Sequence, residues 1–168
     1  FARELAEADA RMEYPVRLLE LALKKSGADF DMRSDARPMP QSAAIKRLAA
    51  GVNVNVVWSM TTREREEQLL PIRIPIDKGL FGYRIAFVAR NRPDTLARAK
   101  DLKTLDALVA GQGHDWPDVD ILRSNGLRVA TTAQHQSLFP MLAAGRFDYF
   151  PRSVLEVWDE IGMPGAQD

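Results

Sequence analysis

The chain has 168 residues, 46% of them hydrophobic and 27% charged, with a formal net charge of zero. That balance supplies a core and sets aside intrinsic disorder, and the missing basic surplus sets aside a nucleic-acid partner. No apolar run reaches the roughly 18 to 20 residues that span a bilayer, no secretory signal pattern stands at the start, and the absence of cysteine removes disulfides, thiol catalysis and thiolate metal sites.

Helical and extended patterns alternate along the chain. Tyr14 to Ser26 reads as an amphipathic helix: Leu18, Leu19, Ala22 and Leu23 follow helical spacing and Gly27 ends it. Asp29 to Arg33 is a short strand candidate. Gln41 to Ala50 reads as a second helix, stopped by Gly51. Val52, Val54 and Val56 alternate with asparagines and run into Val57 and Trp58, a strand pattern. Thr62 to Leu69 is a short helix with a threonine at its start. Pro71 to Lys78 carries two prolines among alternating isoleucines and reads as an extended connector. A lobe boundary is therefore expected near Gly79, giving segments 1–78 and 79–168.

The second segment repeats the alternation. Tyr83 to Ala89 is a strand, and Leu108 to Ala110 another, running into Gly111-Gln112-Gly113. Pro117 to Asn125 is a helix, Leu127 to Thr131 a strand and Gln134 to Ala144 a helix. Phe147 to Phe150 is a strand, and Pro151 to Ile161 a helix with proline in its first turn. Strands alternating with helices of this length predict an α/β fold with mainly parallel sheets flanked by helices.

Four segments carry a resemblance. Tyr14 to Gly27 (YPVRLLELALKKSG), Met60 to Gln68 (MTTREREEQ), Leu70 to Val88, and Met141 to Phe150 (MLAAGRFDYF) resemble the family 3 extracellular solute-binding proteins, the amino-acid-type receptors of ABC importers. The resemblance implies a two-lobed, type II periplasmic-binding-protein-like fold, and a small amino-acid-like or other carboxylate ligand clamped between lobes. It further implies delivery to an ABC permease in the membrane, a periplasmic or extracytoplasmic location and no cofactor. Such proteins return from the second lobe to the first, so the expectation is a chain incomplete at both ends.

Ligands of open α/β sheets bind beyond the carboxyl ends of the strands. The first such stretch is Trp58-Ser59-Met60-Thr61-Thr62 with Arg65. A guanidinium there can hold a carboxylate through two parallel charge-assisted bonds, and the resemblance implies that Arg65 grips the ligand carboxylate. The bland alternative pairs Arg65 with Glu64 or Glu66 on a solvated helix. The second stretch is Gly111-Gln112-Gly113-His114-Asp115-Trp116, whose turn offers backbone N–H groups to an anion; it is equally readable as a plain strand-to-helix turn capped by Asp115. The third is Arg152-Ser153. The resemblance puts an acidic ammonium ligand where Ser153 stands, and Arg152 before it favours a second anionic group. The fourth is Asp9 to Tyr14, where Tyr14 or Arg11 lines the ligand. Trp58 and Trp116 neighbour these loops, whereas Trp158 is expected to pack, as is Asp148 to be structural.

Three rival functions share the fold. An enzyme, dehydratase-like or another lyase, needs a titratable group at the site, and only His114–Asp115 supplies an adjacent pair; His135 reads as a surface or capping residue. No Ser-His-Asp set and no His-Glu-x-x-His metal spacing occurs. A ligand-sensing domain of a signalling receptor, or the effector domain of a DNA regulator, would be told apart by neighbouring sequence.

Overall fold

Helices organise the first part of the chain and strands the second. The computed structural model describes residues 1–2, 10–35, 38–163 and 165–166. It divides into two units, Phe1–Ile76 and Asp77–Asp168.

In the first unit a 3-10 turn at Ala10–Met12 leads into α1 (Glu13–Ser26). Gly27, at φ 71°, closes α1 in the left-handed conformation, with its N–H on the Lys24 carbonyl. Helix α2 (Gln41–Ala49) follows Pro40, and α3 (Arg63–Gln68) is capped by Thr62, whose Oγ1 accepts the Arg65 N–H at 3.2 Å. Ala2, Met39, Ala44 and Val54 form the buried cluster, with Ala43, Leu48 and Val57 against it.

Two expected strands are absent here. Residues 29–33 and 52–58 carry no ladder. Val54 is buried against α2 and Met39, so the alternation of valine with asparagine marks one packed residue. A strand needs a partner backbone as well as an apolar face, and the described residues of this unit contain none. Residues 70–75 are irregular, with Leu70, Ile72 and Ile74 exposed.

Among the described residues the strands all lie in the second unit. β1 (Arg84–Phe87) pairs antiparallel with β4 (Phe150–Ser153), with Ile85 opposite Arg152 and Ala86 opposite Pro151. β2 (Val109–Gly113) pairs in parallel with β3 (Arg128–Thr132) through α5 (Pro117–Ser124). A parallel bridge from Ala110 to Tyr149 ties the two pairs together. α4 (Leu102–Leu105), with a capping box from Asp101 and Thr104, was not expected from sequence. A 3-10 turn at His135–Ser137 precedes α6 (Leu138–Ala143), and α7 (Val157–Glu160) is the last helix.

Pro151 therefore lies in a strand, not in the first turn of a helix. The expected helix 151–161 contracts to α7 because Phe150 and Arg152 are drawn onto the core face of the sheet. The β1–β4 pair is antiparallel, so the parallel arrangement holds for β2, β3 and the bridge. The core joins Ala89, Leu138, Phe139, Leu142, Phe147 and Phe150, with Phe87 and Trp116 packed on it. The rings of Phe87, Phe139, Phe147 and Trp116 all stand 5.3–6.4 Å from another ring of the cluster, the spacing of attractive aromatic pairs.

Candidate functional site

Each unit carries one set of polar residues following the chain segments singled out above. In the first, the guanidinium of Arg65 is fixed by three acceptors. Nη1 donates to Ser59 Oγ at 2.8 Å and to the Met60 carbonyl at 2.7 Å, and Nη2 donates to Gln41 Oε1 at 2.8 Å. These contacts hold the Arg65 side chain in one geometry. Gln41 lies 24 residues away, at the start of α2, and nothing in the local sequence announces it.

An open depression of about 520 Å³ lies beside α3, lined by Thr61, Thr62, Arg63, Glu66, Glu67 and Arg73. Its wall is wired internally. Thr61 Oγ1 donates to Glu66 Oε1 at 3.0 Å, and Arg73 donates to Glu66 Oε2 at 2.6 and 3.2 Å. The Arg73 and Thr61 hydrogen bonds hold the Glu66 carboxyl below the usual carboxylate range. The structure thus joins Thr61 and Thr62 in one depression and Ser59 with Arg65 in one hydrogen-bonded set. Trp58 is half-buried, its ring 5.6 Å from that of Phe1. Tyr14 is exposed and its hydroxyl donates to the Ile76 carbonyl at 2.7 Å; Asp9 lies outside the described residues.

In the second unit Gly111, Gln112 and Gly113 belong to β2 and not to a turn. Their small size has a packing cause. A Cβ on Gly111 would come within 2.3 Å of the Phe147 ring, and one on Gly113 within 2.5 Å of Trp116. The Gly111 N–H is spent on the Tyr149 carbonyl at 2.8 Å. Gln112 is buried, and its Oε1 and the Tyr149 hydroxyl have no hydrogen-bond partner. Beyond β2, His114 is exposed, with its N–H on the Thr132 carbonyl at 3.0 Å, and Asp115 is half-buried.

Arg152 differs most from expectation. It is 5% exposed and sits in a buried ion cluster in place of presenting its charge to a ligand. Nε and Nη2 donate to the two carboxylate oxygens of Glu160 at 2.8 and 2.7 Å, and Nη2 also meets Glu156. Its Cζ stands 4.5 Å from the Trp116 ring centre. His135 Nε2 lies 3.2 Å from Glu160 Oε1, so His135 belongs to the cluster and is not a surface cap. Arg84 reaches Asp118 at 2.7 Å and Glu156 at 3.8 Å. Burial opposes ionisation of Glu160, yet hydrogen bonds from His135 and Arg152 and their charge hold its carboxyl at about 2. Burial dominates at Glu156 and pushes its carboxyl up, against the pull of Arg152. Ser153 is fully buried, its Oγ accepting the Leu155 N–H at 3.2 Å.

Sequence reading missed Gln41, Glu66, Arg73, Glu156 and Glu160. The acids stand four and eight residues after Arg152, a spacing that was available as a signal. Trp158, expected to pack, is 73% exposed on α7. Asp148 is structural: Oδ2 accepts the Val109 N–H at 2.8 Å and Oδ1 faces Arg92 at 3.3 Å. Among the described residues no group of three or more His, Asp or Glu side chains could hold a metal, and no helix is long and apolar enough to cross a membrane.

No family model and no curated protein matches the sequence. Solved structures do. An ancestral arginine-binding protein bound to arginine superposes with a TM-score of 0.55 and 17% identity, over 88% of this chain and 62% of that one. A histidine kinase sensor domain with similarity to periplasmic binding proteins superposes with a TM-score of 0.58 and 19% identity, over 88% of this chain and 60% of that one. The chain thus spans about three-fifths of the length of these two structures. At these identities the likeness is one of fold, and the chain has the α/β fold of periplasmic-binding-protein-like structures.

Proposed function

We propose that this chain captures a small polar, carboxylate-bearing ligand as part of an extracytoplasmic solute-binding protein, and performs no chemistry on it. The single observation that carries the reading is the set around Arg65. Its guanidinium is held by Ser59, Met60 and Gln41 through neutral oxygens. A guanidinium is a planar fork that can take a ligand carboxylate through two parallel charge-assisted bonds, each about twice as strong as a neutral one. In the first unit we assign Arg65, Ser59, Thr61 and Thr62 to ligand contact; in the second, taken by itself, His114 and Asp115 are the residues we assign to ligand contact. The fold likeness to an arginine-binding protein supports an amino-acid-like ligand, and an ABC permease is the partner that would receive it.

A second reading, the ligand-sensing domain of a signalling receptor, is favoured by the likeness to the kinase sensor domain. It keeps the same ligand site and changes the partner.

The test is a thermal-shift screen against amino acids, dicarboxylates, short peptides and sugars, with each ligand assayed afterwards for turnover. A ligand that binds the folded state raises the melting temperature by mass action. The expected result is a rise with carboxylate-bearing compounds only, and their recovery unchanged. A rise with sugars alone, or conversion of the ligand to product, overturns the proposal. Loss of ligand uptake on gene deletion assigns the importer role; loss of a transcriptional response with uptake intact assigns the sensor.

A further inference from the structure

The buried cluster around Arg152 touches the Gly113–Trp116 turn. The strand β2 ends at Gly113, and the chain must turn there before α5 begins at Pro117. Two backbone bonds shape the turn: His114 N–H to the Thr132 carbonyl at 3.0 Å and Trp116 N–H to the Gly113 carbonyl at 3.2 Å. Neither bond decides where the indole goes. The indole lies flat against Gly113, where a Cβ would meet it at 2.5 Å, and stacks on Phe150 with the planes 15° apart. The Arg152 guanidinium stands over the indole, 4.5 Å from the ring centre.

A guanidinium in that position attracts the ring through its quadrupole, and more strongly when desolvated. It keeps its place because Glu160, the fully buried last residue of α7, binds it bidentately at 2.8 and 2.7 Å. Glu156, on the turn before α7, takes Nη2 as well. The planar fork of arginine serves both demands at once, edge to the carboxylates and face to the indole, which an ammonium cannot do.

We infer that Arg152 is a positioning residue: held by Glu160 and Glu156, it clamps Trp116 on Gly113 and thereby fixes the direction in which His114 and Asp115 face. The C-terminal helix α7 is in this way coupled to the turn that the proposed function assigns to the ligand. The inference rests on that assignment for its functional meaning, but the clamp itself exists in the ligand-free protein and is measured there.

The experiment is site-resolved amide hydrogen exchange by NMR on the whole chain without ligand. The reporters are the His114 and Trp116 amides; the controls are the Gly111 and Val154 amides, bonded to the Tyr149 and Tyr83 carbonyls at 2.8 and 2.9 Å. Local opening is read separately from global unfolding in this way. Arg152→Met with Glu160→Met removes the clamp as an ion pair and leaves Glu156 its Ser153 N–H and Arg84 partners. The expected result is acceleration of both reporters by about tenfold or more, with both controls at wild-type rate. Glu160→Gln, which keeps the shape of the side chain, is expected to accelerate the same two amides to a smaller extent, and this variant serves if the double replacement does not fold. Arg152→Lys restores charge without the flat fork and is expected to leave the reporters fast. Equal acceleration of all four amides in the double variant and in Glu160→Gln, or no acceleration of the reporters in either, overturns the clamp. Because no ligand is present, that failure stands apart from a failure of the ligand screen.

Discussion

The two units reach order by different routes. The described residues of Phe1–Ile76 form three α-helices with a small buried set, Ala2, Met39, Ala44 and Val54, around which much of the surface is exposed. Asp77–Asp168 contains every strand among the described residues, an aromatic cluster centred on Phe147 and Phe150, and charges that are themselves buried. Apolar area removed from water is the dominant favourable term in folding. The second unit should therefore resist local opening more than the first, whose ligand-assigned residues are held by hydrogen bonds close to the surface. Sites that must exchange partners with a ligand are drawn from such less protected regions.

The largest expected effect tests that contrast directly. Phe150→Ala empties the centre of the aromatic cluster and should destabilise the second unit by about 3–5 kcal/mol. Urea melts followed by NMR should show the second unit losing its advantage, with amides of α1 and α2 little changed. Equal loss in both units would break the comparison.

Acid provides the next test. The Glu160 carboxyl is held at about 2, below its ordinary 4.5. A group depressed in the folded state contributes stability that is fully present above its unfolded value and is lost as pH falls through the folded one. Stability of the second unit should thus fall between about pH 4.5 and 2, by on the order of 3 kcal/mol from this group. Glu160→Gln should flatten that part of the pH profile measured by urea midpoint; an unchanged slope would remove Glu160 as its cause.

Gly111→Ala is a smaller version of the core test. The added methyl meets the Phe147 ring, and overpacking of this kind costs about 1–3 kcal/mol. Last, Thr62→Ala removes the cap of α3 and should cost the first unit about 1 kcal/mol. Exchange rates in 63–68 should rise with no change in β2 or β3. A response in the second unit would show that the two are energetically linked.

Sequence patterns were informative where the signal was local. Helices α1, α2, α3 and α5 follow from apolar spacing, capping residues and stop glycines near their observed ends. β3 follows from its β-branched run and the preceding Gly126. The failures were non-local. The valines of 52–58 gave a strand pattern, but a ladder depends on a partner that the pattern itself does not contain. Pro151 looked like a helix start because proline suits a first turn; its strand conformation is set by β1, some 65 residues away. Gly111 and Gly113 looked like an anion-binding turn, and only the rings of Phe147 and Trp116 reveal why they are small. At the candidate site the same division holds. Ser59 and Arg65 were both singled out from one local segment, though not their contact, while Gln41 enters from another helix. Arg152 was singled out for its charge, but its partners Glu156 and Glu160 follow it in the chain and cancel that charge in a way its own position did not suggest.

The central claim is that Arg65 binds the carboxylate of the ligand. The direct test is isothermal titration of wild type, Arg65→Lys and Arg65→Ala with the best carboxylate ligand from the thermal screen. The account predicts that Arg65→Ala loses about 2–5 kcal/mol of affinity, the range for removing one partner of a buried charge-assisted pair, and that Arg65→Lys recovers only part of it, since an ammonium lacks the two-pronged geometry. Wild-type affinity in a folded Arg65→Ala protein would contradict it.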